Sequence, residues 1–204
     1  NSIGLFYSSI TDFLGFEINE GEFKVMSLSS FGKPKYEKQL KQIFNINNFK
    51  INMDYFEFQK NLSKSFSKKL HEVLGKPYLN LNEEANFKKY ADIASSAQLI
   101  LEETMENLIK KAIQISGKKK IVLTGGVALN CKMIHNLSKL DIFDELVVPP
   151  SPGDSGSAIG AANFAYLNKT KNKTLNLNTI FLGPKKELIN DKKNKDNLFL
   201  KIIS

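Results

Sequence analysis

Two glycine-bearing stretches hold most of the residues whose types and spacing could do chemistry. The first is Thr124-Gly125-Gly126-Val127-Ala128-Leu129-Asn130, directly after the apolar run Ile121-Val122-Leu123. Paired glycines at the end of a strand let the backbone take positive φ and let a ligand approach with no Cβ in the way. A helix beginning there turns unpaired N–H groups and the positive end of its dipole toward an anion. Asn130 adds an amide able to donate to, or accept from, a base, a ribose or a phosphate. The stretch is neither the dinucleotide-binding Gly-x-Gly-x-x-Gly fingerprint nor a phosphate loop ending in Gly-Lys-Ser/Thr. A plain tight turn therefore stays open beside a ligand turn.

The second stretch is Pro150-Ser151-Pro152-Gly153-Asp154-Ser155-Gly156-Ser157-Ala158-Ile159-Gly160-Ala161-Ala162. Asp154 stands where a helix N-cap belongs, and from residue type alone capping is the preferred explanation. The alternative is a carboxylate that faces a cleft and binds a cation serving phosphates. Gly156, Ala158, Gly160 and Ala161 would keep the helix thin enough for close packing. Other reactive types are sparse. His71 lacks a second histidine four positions on, so it forms no zincin motif. His135 reads as exposed or packed. Cys131, with no histidine beside it, reads as a small packed thiol. As the one cysteine of the chain it makes no internal disulfide and excludes a cysteine-based zinc module, which fits a reducing cytoplasm.

The elements that must position these stretches follow from periodicity. A strand is predicted over 121–124, a helix from 127 to about 140, a second strand over 144–148 and a second helix from 154 to about 167. Strand, glycine turn and helix in alternation are an α/β signature. The longest helix is predicted over 84–116: Phe87, Tyr90, Ala94, Ala97, Leu101, Met105, Leu108, Ala112 and Ile115 recur at helical spacing, and Gly117 ends the pattern. Its alanines favour a helix packed on a sheet over a coiled coil. Upstream, a helix is predicted over 1–15 with Gly15 as its stop, a helix turn plus loop over 21–32, and a weakly patterned polar stretch over 34–48. A strand or hairpin follows over 49–58, then a helix over 62–74 stopped by Gly75. Downstream, a Lys/Asn/Thr linker covers 168–178 and a short strand 180–182.

With 204 residues, 42% of them hydrophobic and 25% charged, the chain can build a packed core. The net charge of +8 invites a nucleic-acid partner, yet all 29 basic residues are Lys. Arg, which reads guanine and clamps phosphate with a planar fork, is missing, so a solvated Lys-rich surface is preferred and nucleic acid is not expected. No stretch is long and apolar enough to span a bilayer. The first residue is Asn1, from which we expect a start inside a larger protein.

GGVALN followed by PPSPGDSGSAIGAA resembles the carbamoyltransferase family of nodulation and antibiotic-tailoring enzymes. IGLFYSSITDFLGF and GEFKVMSLSSFG, upstream, are similar to the same family's segments in the same order, and the resemblance runs over residues 2–184. It implies an α/β fold, part of an actin-like ATPase (ribonuclease H-like) lobe with strands alternating with helices, over 1–184. Residues 185–204 would then be a truncated or linker segment toward a YrdC-like C-terminal domain. It also implies that the YrdC-like domain makes carbamoyl-adenylate from carbamoyl phosphate and ATP, and that the actin-like domain passes the carbamoyl group to a hydroxyl of a small-molecule or sugar acceptor. Asp154 would be the catalytic metal ligand, the metal being divalent and generally iron in the family, with two histidines of an early motif that this chain lacks. Gly125, Gly126, Asn130 and Gly153 would line the nucleotide, with Lys24 and Glu22 of the Gly-Glu-x-Lys segment as further cleft residues.

The first lobe and the YrdC-like domain are absent from the sequence, so the chain alone is expected to be inactive, and a homo-oligomer is compatible with it. MSLSSFG departs from the family's Met-Gly-Leu-Ala-Pro-Tyr-Gly at Ser27 and Ser30. Two other readings stay open: a threonylcarbamoyl transferase of tRNA modification, and a non-catalytic binding module that keeps the scaffold.

Overall fold

The structure, a computed structural model, describes residues 2–60 and 64–170. Residues 1–162 form one packed unit. Of the second, which starts at Asn163, only the end of one helix lies within the described residues. The expected strand at 180–182, the 185–204 segment and most of the 168–178 linker lie outside them.

The first helix, α1 (Ile3–Phe13), is capped by Ser2, whose Oγ accepts from the Leu5 N–H at 3.2 Å. It buries Phe6, Ile10 and Phe13 on one face and is followed by Gly15 at φ +84°. Next, α2 (Glu22–Leu28) tightens into a 3-10 turn over Ser29–Phe31. The weakly patterned stretch contains a helix after all, α3 (Glu37–Ile43). Its signal is only Leu40 and Ile43, one turn apart and buried, too few to register as a period. The hairpin is real but earlier than expected: β1 (Phe44–Asn45) pairs antiparallel with β2 (Lys50–Ile51). Then α4 (Lys68–Leu74) begins later than the predicted 62, because Ser67 caps it, accepting from the Lys69 N–H.

The long helix α5 (Glu84–Ser116) has its predicted bounds, ended by Gly117 in the left-handed region. Its surroundings differ from expectation. It packs among α1, α2, α3 and the 3-10 turn after α2, and further along against α6 (Cys131–Ser138), so its neighbours are helices and not a sheet. Between 90 and 101 all but two of its residues are buried, polar Asp92, Ser96 and Gln98 included. A helix buried nearly all round needs partners on every side. Gly32 supplies one of the closest approaches: a Cβ there would fall 1.9 Å from the Ala91 carbonyl oxygen. Asp92 clamps the same loop, accepting from the Lys33 N–H at 2.8 Å and pairing with the Lys35 ammonium at 2.8 Å.

The mixed α/β character comes from β3 (Lys120–Val122) and β4 (Glu145–Val147), which pair in parallel with Val122 opposite Val147. Helix α6 crosses between them. The segment predicted as one helix from 127 divides at Asn130, whose backbone at φ −75°, ψ 90° is not helical, into a 3-10 turn over Gly126–Leu129 and then α6, which Asn130 caps. After β4 comes α7 (Gly156–Thr170). Among the described residues no helix is long and apolar enough to cross a membrane.

Candidate functional site

Both glycine stretches leave the carboxyl ends of β3 and β4, the end of a parallel sheet at which α/β folds receive ligands. One backbone hydrogen bond joins them: the Gly125 N–H donates to the Pro152 carbonyl at 2.7 Å. Gly125 itself lies at φ +96°, ψ 163°, a conformation that an L side chain rarely adopts. A Cβ built on Gly153 would touch only Leu129, at 3.8 Å, so the two turns lie side by side. An apolar groove of about 390 Å³ runs between them, walled by Leu129, Cys131 and His135 on one side and Val148, Pro150 and Pro152 on the other. A larger cavity of about 660 Å³ is lined only by residues of the 53–69 segment and touches neither turn.

Asp154 is exposed, and among the described residues its carboxylate takes part in no hydrogen bond or ion pair. Its main chain does the work expected of its side chain: the Ser157 N–H donates to the Asp154 carbonyl at 3.0 Å, and α7 starts at Gly156. Capping by the carboxylate, preferred from residue type, is therefore not what the structure contains. No group of three or more His, Cys, Asp or Glu placed to hold a metal exists among the described residues. A lone carboxylate does not make a metal centre.

Asn130 has internal partners of its own. Expected to line a nucleotide, its side chain is taken up inside the protein at 9% exposure. Its Oδ1 accepts from the Met133 N–H at 2.9 Å, capping α6, and from Gln98 Nε2 at 3.0 Å, while its Nδ2 donates to Gln98 Oε1 at 2.9 Å. Gln98 in turn accepts from the Tyr7 hydroxyl at 2.9 Å and donates to Glu102 at 2.7 Å. Burial pushes the Tyr7 phenol far above its usual range; the neighbouring Asn130 amide opposes this, and the Glu102 and Glu22 charges add to it. Residue types in the sequence carried one clue to this network: a glutamine between Ala97 and Leu101, on the face meant for the core.

Glu22 accepts from the Ser8 hydroxyl at 2.6 Å and the Asn19 N–H at 3.0 Å, which ties it to α1. Lys24 is exposed, with its ammonium 5.9 Å from the Phe16 and Phe23 ring centres. Among the described residues no hydrogen bond or ion pair joins either to the glycine turns, although their helix does border α6. The Cys131 thiol sits 3.8 Å from the Met26 sulfur, and the Lys132 ammonium donates to Ser29 Oγ at 2.9 Å. Cys131 is exposed, not packed as expected, because it opens α6 on the groove side. His71 sits between the Phe13 and Phe66 rings, away from both turns.

The family model described as carbamoyltransferase N-terminus matches residues 1–163. An uncharacterized protein of Synechocystis sp. is 34% identical over 166 residues, which cover 79% of this chain and 27% of that protein. Nodulation protein NolNO of Sinorhizobium fredii is 28% identical over 166 residues, 79% of this chain and 22% of that protein. Nodulation protein U of the same species is 34% identical over 105 residues, 50% of this chain and 18% of that protein. The chain thus spans about a quarter of the length of the first two of these relatives. Joined glycine turns at the ends of parallel strands, and a match that takes in both turns, lead to one conclusion: the chain belongs to the carbamoyltransferase family, in the region that family has at its N-terminus.

Proposed function

We propose that the intact protein is a carbamoyltransferase and that this chain forms one wall of its nucleotide cleft, within an actin-like α/β lobe. The observation that carries the reading is the bond from the Gly125 N–H to the Pro152 carbonyl, which holds the Gly126 and Asp154 turns together beyond the ends of β3 and β4. Gly126 adds support. Among the described residues a Cβ there would meet nothing within 4 Å, and its φ is outside the left-handed region. Neither packing nor backbone conformation asks for glycine at that position, whereas room for a ligand does.

In this reading the intact protein moves a carbamoyl group from carbamoyl-adenylate, made from carbamoyl phosphate and ATP, to a hydroxyl of a small-molecule or sugar acceptor. The amides of the Gly126 turn and of Gly153 face the adenylate, where unpaired N–H groups stabilise negative charge. Holding the donor and acceptor in one cleft supplies a large part of the acceleration. A divalent metal, iron in this proposal, would take Asp154 as one donor and supply Lewis-acid polarisation of the carbamoyl carbonyl when bound. Its other donors would have to come from outside the described residues. The first lobe and the YrdC-like domain are assigned to the part of the relatives' length that this chain does not span. We place the enzyme in the cytoplasm, which suits an exposed, unpaired Cys131.

The test is Asp154→Ala in the intact protein. Transfer activity is expected to fall by at least about 100-fold and metal content with it, while the metal-free variant melts at the same temperature as metal-free wild type, since the carboxylate makes no hydrogen bond among the described residues. Metal content and turnover equal to wild type would remove Asp154 from the site.

A further inference from the structure

We infer that Gln98, on α5, is a positioning residue for the Gly125–Gly126 turn, acting through Asn130. The inference rests on the reading of that turn as a nucleotide wall.

A primary carboxamide offers two hydrogens and two acceptor sites, and Gln98 uses all four. Nε2 donates to Glu102 Oε1 at 2.7 Å and to Asn130 Oδ1 at 3.0 Å. Oε1 accepts from the Tyr7 hydroxyl and from Asn130 Nδ2, both at 2.9 Å. Only one orientation satisfies these partners. The Glu102 carboxylate can only accept, so it must face Nε2; the Tyr7 phenol, kept protonated mainly by its burial, must donate to Oε1. Glu102 is itself steadied by Asn136 Nδ2 on its other oxygen, at 2.8 Å. The network therefore draws fixed points from α1, α5 and α6.

The orientation passes to Asn130. With Nδ2 held by Gln98, Oδ1 is left pointing at the Met133 N–H, where it starts α6. Through its main chain Asn130 also closes the preceding turn, its N–H donating to the Val127 carbonyl at 3.0 Å. The next bond back runs from the Ala128 N–H to the Gly125 carbonyl, also at 3.0 Å. Asn130 therefore stands between the Gln98 network, which holds its side chain, and the turn back to the Gly125 carbonyl, which its main chain closes; in this inference, losing the side-chain anchor loosens that turn. Gln98 is 2% exposed and Tyr7 4%, among Ala94, Ala97 and Leu101 at 1% or less. An apolar replacement would leave the buried Tyr7 hydroxyl and Asn130 Nδ2 without this acceptor, so Gln98 serves stability as well as the direction in which Asn130 points.

The experiment measures MgATP affinity and melting temperature of the intact protein and its variants. Gln98→Glu sets a carboxylate against Glu102 and Asn130 Oδ1, and is expected to weaken MgATP binding by about tenfold near pH 8. The introduced carboxyl, raised by its acidic neighbour, regains a proton toward about pH 6, and the ratio to wild type should narrow there. Recovery of affinity in a variant whose melting temperature already matches wild type at pH 8 marks positioning, whereas affinity that only follows the melting temperature at both pH values marks a merely structural role and overturns the inference. Tyr7→Phe, which removes one donor and keeps the ring, is expected to weaken binding by about threefold with little change in melting temperature. It decides the matter should Gln98→Glu fail to fold. Wild type that binds MgATP, with folded variants that bind it equally well at both pH values, overturns the inference alone. Wild type that binds no MgATP overturns the nucleotide reading, and this inference with it.

Discussion

In the helical body a Cβ added at Gly32 would fall 1.9 Å from the Ala91 carbonyl oxygen, and one added at Gly21 would fall 2.6 Å from Phe16 Cβ. Beyond β3, a Cβ added at Gly126 would meet nothing within 4 Å. The contrast extends past glycine. Around α5 the large side chains Phe6, Phe13, Phe44, Phe66 and Tyr90 are fully buried, whereas Val122 and Val147, paired across the parallel sheet, are 68% and 42% exposed. Parallel strands are ordinarily covered on both faces. The α5 body is thus closely packed at its centre, although Phe23 and Phe31 at its surface stay exposed, and the β3–β4 edge keeps open space at Gly126 among the described residues. Gly156 is the exception on that edge, since its Cβ would fall 2.1 Å from the Ser151 carbonyl oxygen. The second turn needs a packing glycine to form at all; the first keeps room at Gly126 that none of the described residues uses.

The most severe way to test the comparison is Gly32→Ala. The nearest atoms belong to the backbone of α5 at Ala91 and not to the end of a flexible side chain, so the loop or the helix must shift. A loss of about 3 kcal/mol is expected, read from urea unfolding of the intact protein. A loss below about 0.5 kcal/mol, the ordinary effect of a surface change, would mean that the loop lifts off α5 freely and that the body is less tightly built than its geometry indicates.

A milder test uses Asp92, which joins the same loop to α5. Burial alone would raise its carboxyl, but the Lys35 ammonium and the Lys33 N–H outweigh it and hold the carboxyl below the ordinary value of 3.8. A depressed carboxylate stabilises the folded state above its unfolded pKa and loses that contribution as pH falls through the folded one. Asp92→Ala is expected to lower stability by about 2 kcal/mol near neutral pH, from the lost charge-assisted bond to the Lys33 N–H. The gap from wild type should begin to close only on acidification below about 3.9. Thermal melts across that range check it, and a gap independent of pH would mean that the charge of Asp92 does not hold the loop.

How far the sequence carries depends on whether a residue's role is local. The bounds of α5 were legible because a long apolar period and the left-handed Gly117 both mark them. The positions of β3, β4 and the two glycine turns were legible from short apolar runs set against glycine and proline. Asp154 was harder: whether the carboxylate or the carbonyl begins α7 depends on backbone geometry that residue type does not fix. Asn130 and Gln98 are 32 positions apart, and the bonds that bind them exist only once α5 and α6 are packed. Asn130 therefore looked like a ligand group, and Gln98 like one more polar residue on a long helix. That helices supply most of the neighbours of α5 was hidden for a similar reason, because an apolar stripe states that a face is covered without naming what covers it.

Gly126→Ala is the smallest change to stability and the sharpest use of the comparison. Open space around the Cβ and an ordinary φ remove both reasons for a folding penalty, so stability should stay within about 0.5 kcal/mol of wild type. Alanine even loses less chain entropy on folding than glycine. If the space belongs to a nucleotide, the methyl group stands where the ligand must come against the backbone, and MgATP affinity should fall by about tenfold with the melting temperature unmoved. That pairing is what separates the two regions: at Gly32 the methyl group is felt by the protein, and at Gly126 it is felt by whatever the protein binds. Unchanged affinity together with unchanged stability would leave Gly126 without a physical reason to be glycine, and the first turn would have to be read as a tight turn and nothing more.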